Sequence, residues 1–317
     1  MTESHRTAAA VLCIALVVVA FGASPARAED AGRTLGGHTF MPSAQVRDPF
    51  ITTYLLSGTG VSIFQLPLLT IDWEGPEPVI VEGDVLYLVQ GFRYQRAVNE
   101  WLAVRGAFSA TGRGGIDEKS IFAQGVMWSF AGGLGATARV WGAERAALAV
   151  SADVVLGNAY TINIFDYVED IIEDGWDEES SLLSESSTSH GRLGLAGAWA
   201  PKRWLGVTAS VDWAWTDGSG DRSWDERKLG GSGTVGIDFK ELDAVPVGVR
   251  VAFSSQPIGQ GGTGPADDIR SYGVGVFYTG RPDLSIGADA IFLRLPLIDS
   301  DVKTDAMQFS IDMRYYF

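Results

Sequence analysis

The sequence predicts an all-β protein: a transmembrane, antiparallel, up-and-down β-barrel of about twelve strands, preceded by a short N-terminal segment. Three observations predict it. Apolar residues alternate with small or polar ones at a period of two in stretch after stretch, which is strand geometry. Short turns alternate with longer, more polar connections along the chain. After residue 28 no run is long and apolar enough for a spanning helix, so a membrane-embedded chain would have to close its strands on themselves.

The opening stretch reads as a targeting segment. Arg6 precedes an apolar run from Ala8 to Phe21, and Ala26-Arg27-Ala28 supplies a small-x-small cleavage site. The run is short of the ~20 apolar residues of a retained anchor. Cys13 lies inside it rather than after a small residue at its end, which argues against a lipoprotein. The expected organisation is therefore a signal peptide over 1–28, an N-terminal periplasmic segment over 29–50 and the barrel over 51–317.

Composition narrows the function. Cys13 is the only cysteine, so a chain starting at Glu29 has neither disulfides nor thiol chemistry. Removing Arg6, Arg27 and Glu3 from 24 basic and 39 acidic residues leaves 22 and 38, a net charge of −16. So acidic a chain is a poor nucleic-acid binder. Its 39 glycines, 10 tryptophans, 9 tyrosines and 15 phenylalanines suit a tightly curved sheet that meets a lipid interface.

Twelve strands are expected near 51–62, 85–97, 101–112, 131–141, 146–160, 188–199, 204–216, 228–240, 245–256, 269–279, 284–295 and 305–317. The seventh is the clearest, with Leu205, Val207, Ala209, Val211, Trp213 and Trp215 on one face and Gly206, Thr208, Ser210, Asp212, Ala214 and Thr216 on the other. The short turns fall at 98–100, 142–145, 201–203, 241–244 and 280–283, which places both ends of the barrel on one side and makes the strand number even. In a soluble sandwich these apolar faces would pack on a second sheet. Here they carry aromatic residues near their ends, as a membrane girdle does.

The last strand sets Met307, Phe309, Ile311, Met313, Tyr315 and Phe317 opposite Gln308, Ser310, Asp312, Arg314 and Tyr316. The run Phe309, Ile311, Met313, Tyr315, Phe317 resembles the terminal β-signal of Gram-negative outer-membrane β-barrel proteins. The resemblance implies outer-membrane localisation, recognition of this strand by the barrel-assembly machinery, and contact with outer-membrane lipids and lipopolysaccharide. The repeat of strand, short charged turn and strand is loosely similar to transporter barrels of the FadL and phenol-pathway type.

Projected inward, the strands carry Arg93, Arg105 and Arg139 early and Asp153, Asp212, Asp238, Arg250, Asp289, Asp312 and Arg314 later. Two arrangements fit these charges: ion bridges that fill a small barrel, or an arginine wall facing a carboxylate wall across a water-filled constriction. The first predicts a plugged structural or surface-recognition barrel. The second predicts a porin-like channel for passive diffusion of a small solute, with the charged lumen as selector, and twelve strands enclose more space than side chains alone fill.

The connection over 161–187 is acidic, with Asp166, Glu169, Asp170, Glu173, Asp174, Asp177, Glu178, Glu179 and Glu185 and no basic residue. Ile164, Tyr167 or Val168, and Ile171 stand at helical spacing, compatible with a short amphipathic helix folded over or into the mouth, but a solvated acidic surface loop is the favoured reading. No calcium-loop spacing occurs, and neither a metal nor a cofactor is expected. A lipid-modifying enzyme is disfavoured: a resemblance to the outer-membrane phospholipase would require a serine two residues beyond the histidine, whereas Arg192 stands there after His190 and Ser189 falls on the opposite face. His38 is expected at a surface, in an N-terminal segment without evident structure.

Overall fold

The computed structural model describes residues 32–71, 79–116, 118, 120–121, 125–162, 164, 182–219, 224–242, 245–257, 268–296 and 303–317. The expected signal peptide, most of the acidic connection and its helix lie outside these residues.

A two-residue-strand hairpin comes first, β1 (Thr34–Leu35) and β2 (His38–Thr39). Twelve long strands follow: β3 (Tyr54–Ile71), β4 (Val79–Ala97), β5 (Leu102–Gly115), β6 (Val126–Ala143), β7 (Ala146–Ile162) and β8 (Leu183–Lys202), then β9 (Leu205–Ser219), β10 (Trp224–Asp238), β11 (Val247–Pro257), β12 (Asp268–Arg281), β13 (Leu284–Pro296) and β14 (Lys303–Tyr316). Each pairs antiparallel with its chain neighbours, and β14 pairs with β3 from Tyr316↔Tyr54 to Ala306↔Phe64, closing the barrel. Closure leaves no sheet edge to satisfy, which is the condition for strands in lipid.

Side-chain alternation now has two physical faces. Leu88, Phe92, Phe108, Phe130, Val154, Leu193, Val211, Val251, Val274, Phe292 and Ile311 are exposed on the outside. An apolar belt of this extent on a folded protein marks a surface that water does not cover. Trp101, Trp141, Trp199, Tyr315 and Phe317 are exposed near the short-turn rim, and Trp213, Trp215, Phe253 and Tyr272 lie towards the other rim. Inside, the wall is built largely of buried hydroxyls: Thr137, Ser151, Thr208, Ser210, Ser232, Thr234, Ser254, Ser271, Thr279 and Ser285. Several pair across strands, as Ser210 with Ser232 and Ser254 with Ser271 do, at 2.7 Å each.

All twelve expected strands are present, but many extend further at the long-loop end. The expected loop over 217–227 is largely ladder, since Asp217 pairs with Asp225 and Gly218 with Trp224. Likewise β8 starts at Leu183, inside the expected 161–187 connection. Beyond the apolar belt both faces of a strand meet water, so the hydropathy alternation fades while backbone pairing continues. At the short-turn end, β10 stops at Asp238 rather than 240 because Phe239–Leu242 forms a 3-10 turn.

A larger departure concerns the N-terminal segment. Residues 29–50 read in the sequence as a periplasmic segment without evident structure, and the residues from Arg33 to Thr53 are ordered inside the barrel. Gly36 and Gly37 adopt φ of 55° and 85°, the left-handed conformation that a two-residue hairpin turn requires. This hairpin sits inside the ring of short turns: Gly36 N–H donates to Glu144 O at 2.7 Å, and Arg33 Nη2 to Pro282 O at 3.3 Å. His38, expected at a surface, is 1% exposed.

Candidate functional site in the barrel lumen

From the hairpin the chain climbs the lumen, turns near Gln45 and Arg47, and returns to begin β3. Phe40 and Phe50 pack with Ala198, Ala200 and Leu35, the apolar cluster that seats the segment. Gln95 Nε2 holds the return by donating to the carbonyls of Phe50 and Thr52, both at 3.1 Å. The remaining attachments are polar. Gln45 Nε2 donates to Ser271 Oγ at 2.9 Å, Arg47 Nη1 to Ser151 Oγ at 2.7 Å, and Arg314 Nη1 to Asp48 Oδ2 at 2.8 Å.

Wall glycines make room for these side chains. A Cβ at Gly236 would lie 2.6 Å from the Met41 methyl, and one at Gly273 would lie 2.7 Å from Gln45 Oε1. Gly206 and Gly248 stand equally tightly against His38 and Met41. The wall thus has a groove complementary to the segment, since a Cβ at any of these positions would displace it.

The charges expected in the lumen are arranged in local clusters. Arg105 Nε donates to Asp153 Oδ1 at 2.7 Å, bridging over Gly135 of the strand between. Arg47 of the inserted segment ion-pairs with that same Asp153 and, through Nε at 2.6 Å, with Asp212, which is 1% exposed. Arg250 pairs with Asp289 at 2.6 Å and lies over the Phe277 ring, 4.4 Å from its centroid. Arg314 stacks 4.3 Å over Tyr54 while holding Asp48. Asp312 abuts Gly58 of the neighbouring strand, and Arg93 lines the open part of the lumen. Asp238, fully buried, accepts from Thr279 Oγ1 at 2.8 Å and from the Lys240 N–H at 3.1 Å. Arg139 lies nearer the short turns, four residues along β6 from Gly135, away from the open lumen.

An arginine wall facing a carboxylate wall across open water is therefore not what forms. Arg105 finds Asp153 on its own side and Arg250 finds Asp289 on the other, because unpaired charge out of bulk water is costly and a strand or two away is the nearest partner. The inserted segment supplies Arg47 and Asp48, which sequence projection missed because it counted strands only. The Gly36-Gly37 pair between Thr34-Leu35 and His38-Thr39 was the available signal that this stretch is structured.

Above the turn of the segment the lumen opens into a chamber of about 480 Å³. Its lining includes Arg47, Arg93, Arg105, Arg192 and His190 with Asp48 and Asp153. Below it, the space left between segment and wall, about 10 Å³, is barely enough for one water.

No family model matches the chain, and no curated protein does. Among solved structures it is similar to the translocator domain of the autotransporter NalP from Neisseria meningitidis, at 11% identity and TM-score 0.50, covering 99% of this chain and 98% of that one. The transport unit of the autotransporter AIDA-I from Escherichia coli follows at 8% identity and TM-score 0.49, covering 89% and 95%. The Pseudomonas putida toluene transporter TodX gives 11% and 0.46, covering 93% and 99%. At these identities the likeness is one of fold: the chain has the architecture of an outer-membrane β-barrel.

Proposed function

We propose that the protein is a bacterial outer-membrane channel for a small polar solute, and that residues 32–53 are its gate. The observation that carries this reading is how the gate is held. The base of the segment is seated on an apolar cluster through Phe40 and Phe50, but its turn, from Gln45 to Asp48, is held on a hydroxyl-lined wall through ion pairs and hydrogen bonds. Water can replace each of those contacts when the segment leaves. The same wall would then line an aqueous path.

A reversible lock tests the gate. Gln45→Cys with Ser271→Cys joins two hydrogen-bonded positions in a chain whose only native cysteine is Cys13. Refolded protein in a planar bilayer is expected to show intermittent conductance as wild type, none in the oxidised double variant, and restored conductance on reduction. Correctly folded protein that stays silent in all three states would establish the plugged, structural barrel instead.

A further inference from the structure

The chamber above the gate differs in charge from the chain around it. The whole sequence carries −15, yet four arginines and two aspartates line this space. Its floor is one continuous rung of the wall, in which Gln95 pairs with Arg105, Arg105 with Gly135, Gly135 with Asp153, Asp153 with Arg192 and Arg192 with Ala214. These residues occupy equivalent inward positions on six adjacent strands, spaced about 4.8 Å from strand to strand. Arg105 and Arg192 therefore flank Asp153, and Arg47 reaches it from the gate.

Three guanidinium groups thus share Asp153 and Asp212. The Nε–H of Arg192 is buried with no hydrogen-bond acceptor among the described residues. A buried donor of a charged group without an acceptor is costly, and the Arg192 guanidinium that carries it lines the chamber. Arg93 lines the same chamber, so arginines surround the space from β4, β5, β8 and the gate, and the His190 imidazole lies two residues further along the β8 face from Arg192.

We propose that this chamber is a binding site for a small organic dicarboxylate. The side chains already present show the recognition chemistry, since guanidinium groups here hold aspartate carboxylates. A solute carboxylate would accept from Arg192 on one side and from Arg93 or Arg105 on the other. Two negative charges balance the excess of arginine over aspartate in the lining. The volume accommodates a molecule of this class with some water. The inference deepens the channel reading by naming the class of solute, and it rests on that reading only for transport, since binding requires no conduction.

Titration of folded full-length protein in detergent with succinate, followed by calorimetry at low salt, tests the site. Saturable binding is expected, with glycerol and ethylenediamine showing none. Arg192→Gln should weaken succinate binding at least tenfold while heat-modifiable gel mobility stays normal. Arg93→Gln, which removes none of the ion pairs described for the Asp153 cluster, provides the second variant should the first fail to fold, with a loss in the same direction. Inorganic phosphate binding as tightly as succinate would overturn the carboxylate assignment. Absent binding to folded wild type, or equal affinity in wild type and both variants, would overturn the site itself. Binding by a barrel that never conducts would leave the site standing and remove the channel.

Discussion

A single ring bears on how the proposed gate would be balanced. His38 Nδ1 donates to the Arg203 carbonyl at 3.0 Å, so Nδ1 of the docked ring carries a proton. Burial is the main cause that holds its pKa below the usual 6.5, against the raising effects of the Arg203 hydrogen bond and of Asp238. In the undocked segment the ring titrates normally. Docking is therefore fully supported above pH ~6.5 and weakens as pH falls from there towards the lowered value, because only the released ring takes a proton readily. Open probability in a bilayer should rise on acidification from pH 7.5 to 5.5. His38→Gln, which keeps a donor and cannot titrate, should flatten that dependence. At the neighbouring contacts, Gly248→Val would place side-chain atoms where Met41 lies. The expected result is a barrel of normal heat stability whose conductance no longer closes fully, and unchanged closure would count against the groove.

At the scale of elements, the strands were legible because one face of each meets lipid and the other does not, which imposes a period of two on hydropathy. β9 displays this from Leu205 to Trp215. The ends were illegible for the same reason, since the ladder from Trp224 to Lys228 continues on β9 where no such contrast exists. The lumen charges could be projected inward by parity, yet their partners could not. Pairing of Arg105 with Asp153 depends on two registers and on a glycine between, and Arg47 comes from a segment with no periodicity. For the terminal strand, Phe317 stacks with Tyr94 and sits beside Tyr315 on the outer face, where an assembly factor could meet it. Phe317→Ser is expected to lower the folded yield in the outer membrane several-fold, read as the heat-modifiable fraction on a gel, while refolding in detergent changes little. Equal loss in both settings would point to packing with Tyr94 rather than recognition.

For the whole molecule, the seam between β14 and β3 sets the order of events in time. Every other ladder joins neighbours in the chain and can zip locally, but Tyr54 must find Tyr316. This pairing has the largest sequence separation in the barrel and follows the local ladders, so closure is expected to be the slow step. Arg314 lies at this seam, reaching Asp48 of the gate and the Tyr54 ring of the first strand at once. The last strand is therefore expected to meet its partner and the gate together, with the segment as a splint on which the cylinder is shut. Arg314→Ala should slow closure about tenfold in refolding kinetics while early hairpin formation, followed by circular dichroism, keeps its rate. An unchanged closing rate would show that the gate enters a finished cylinder. If closure does slow, the feature proposed to stop the passage in the mature protein is also what times its construction, and a variant lacking the segment would be correspondingly slow to assemble.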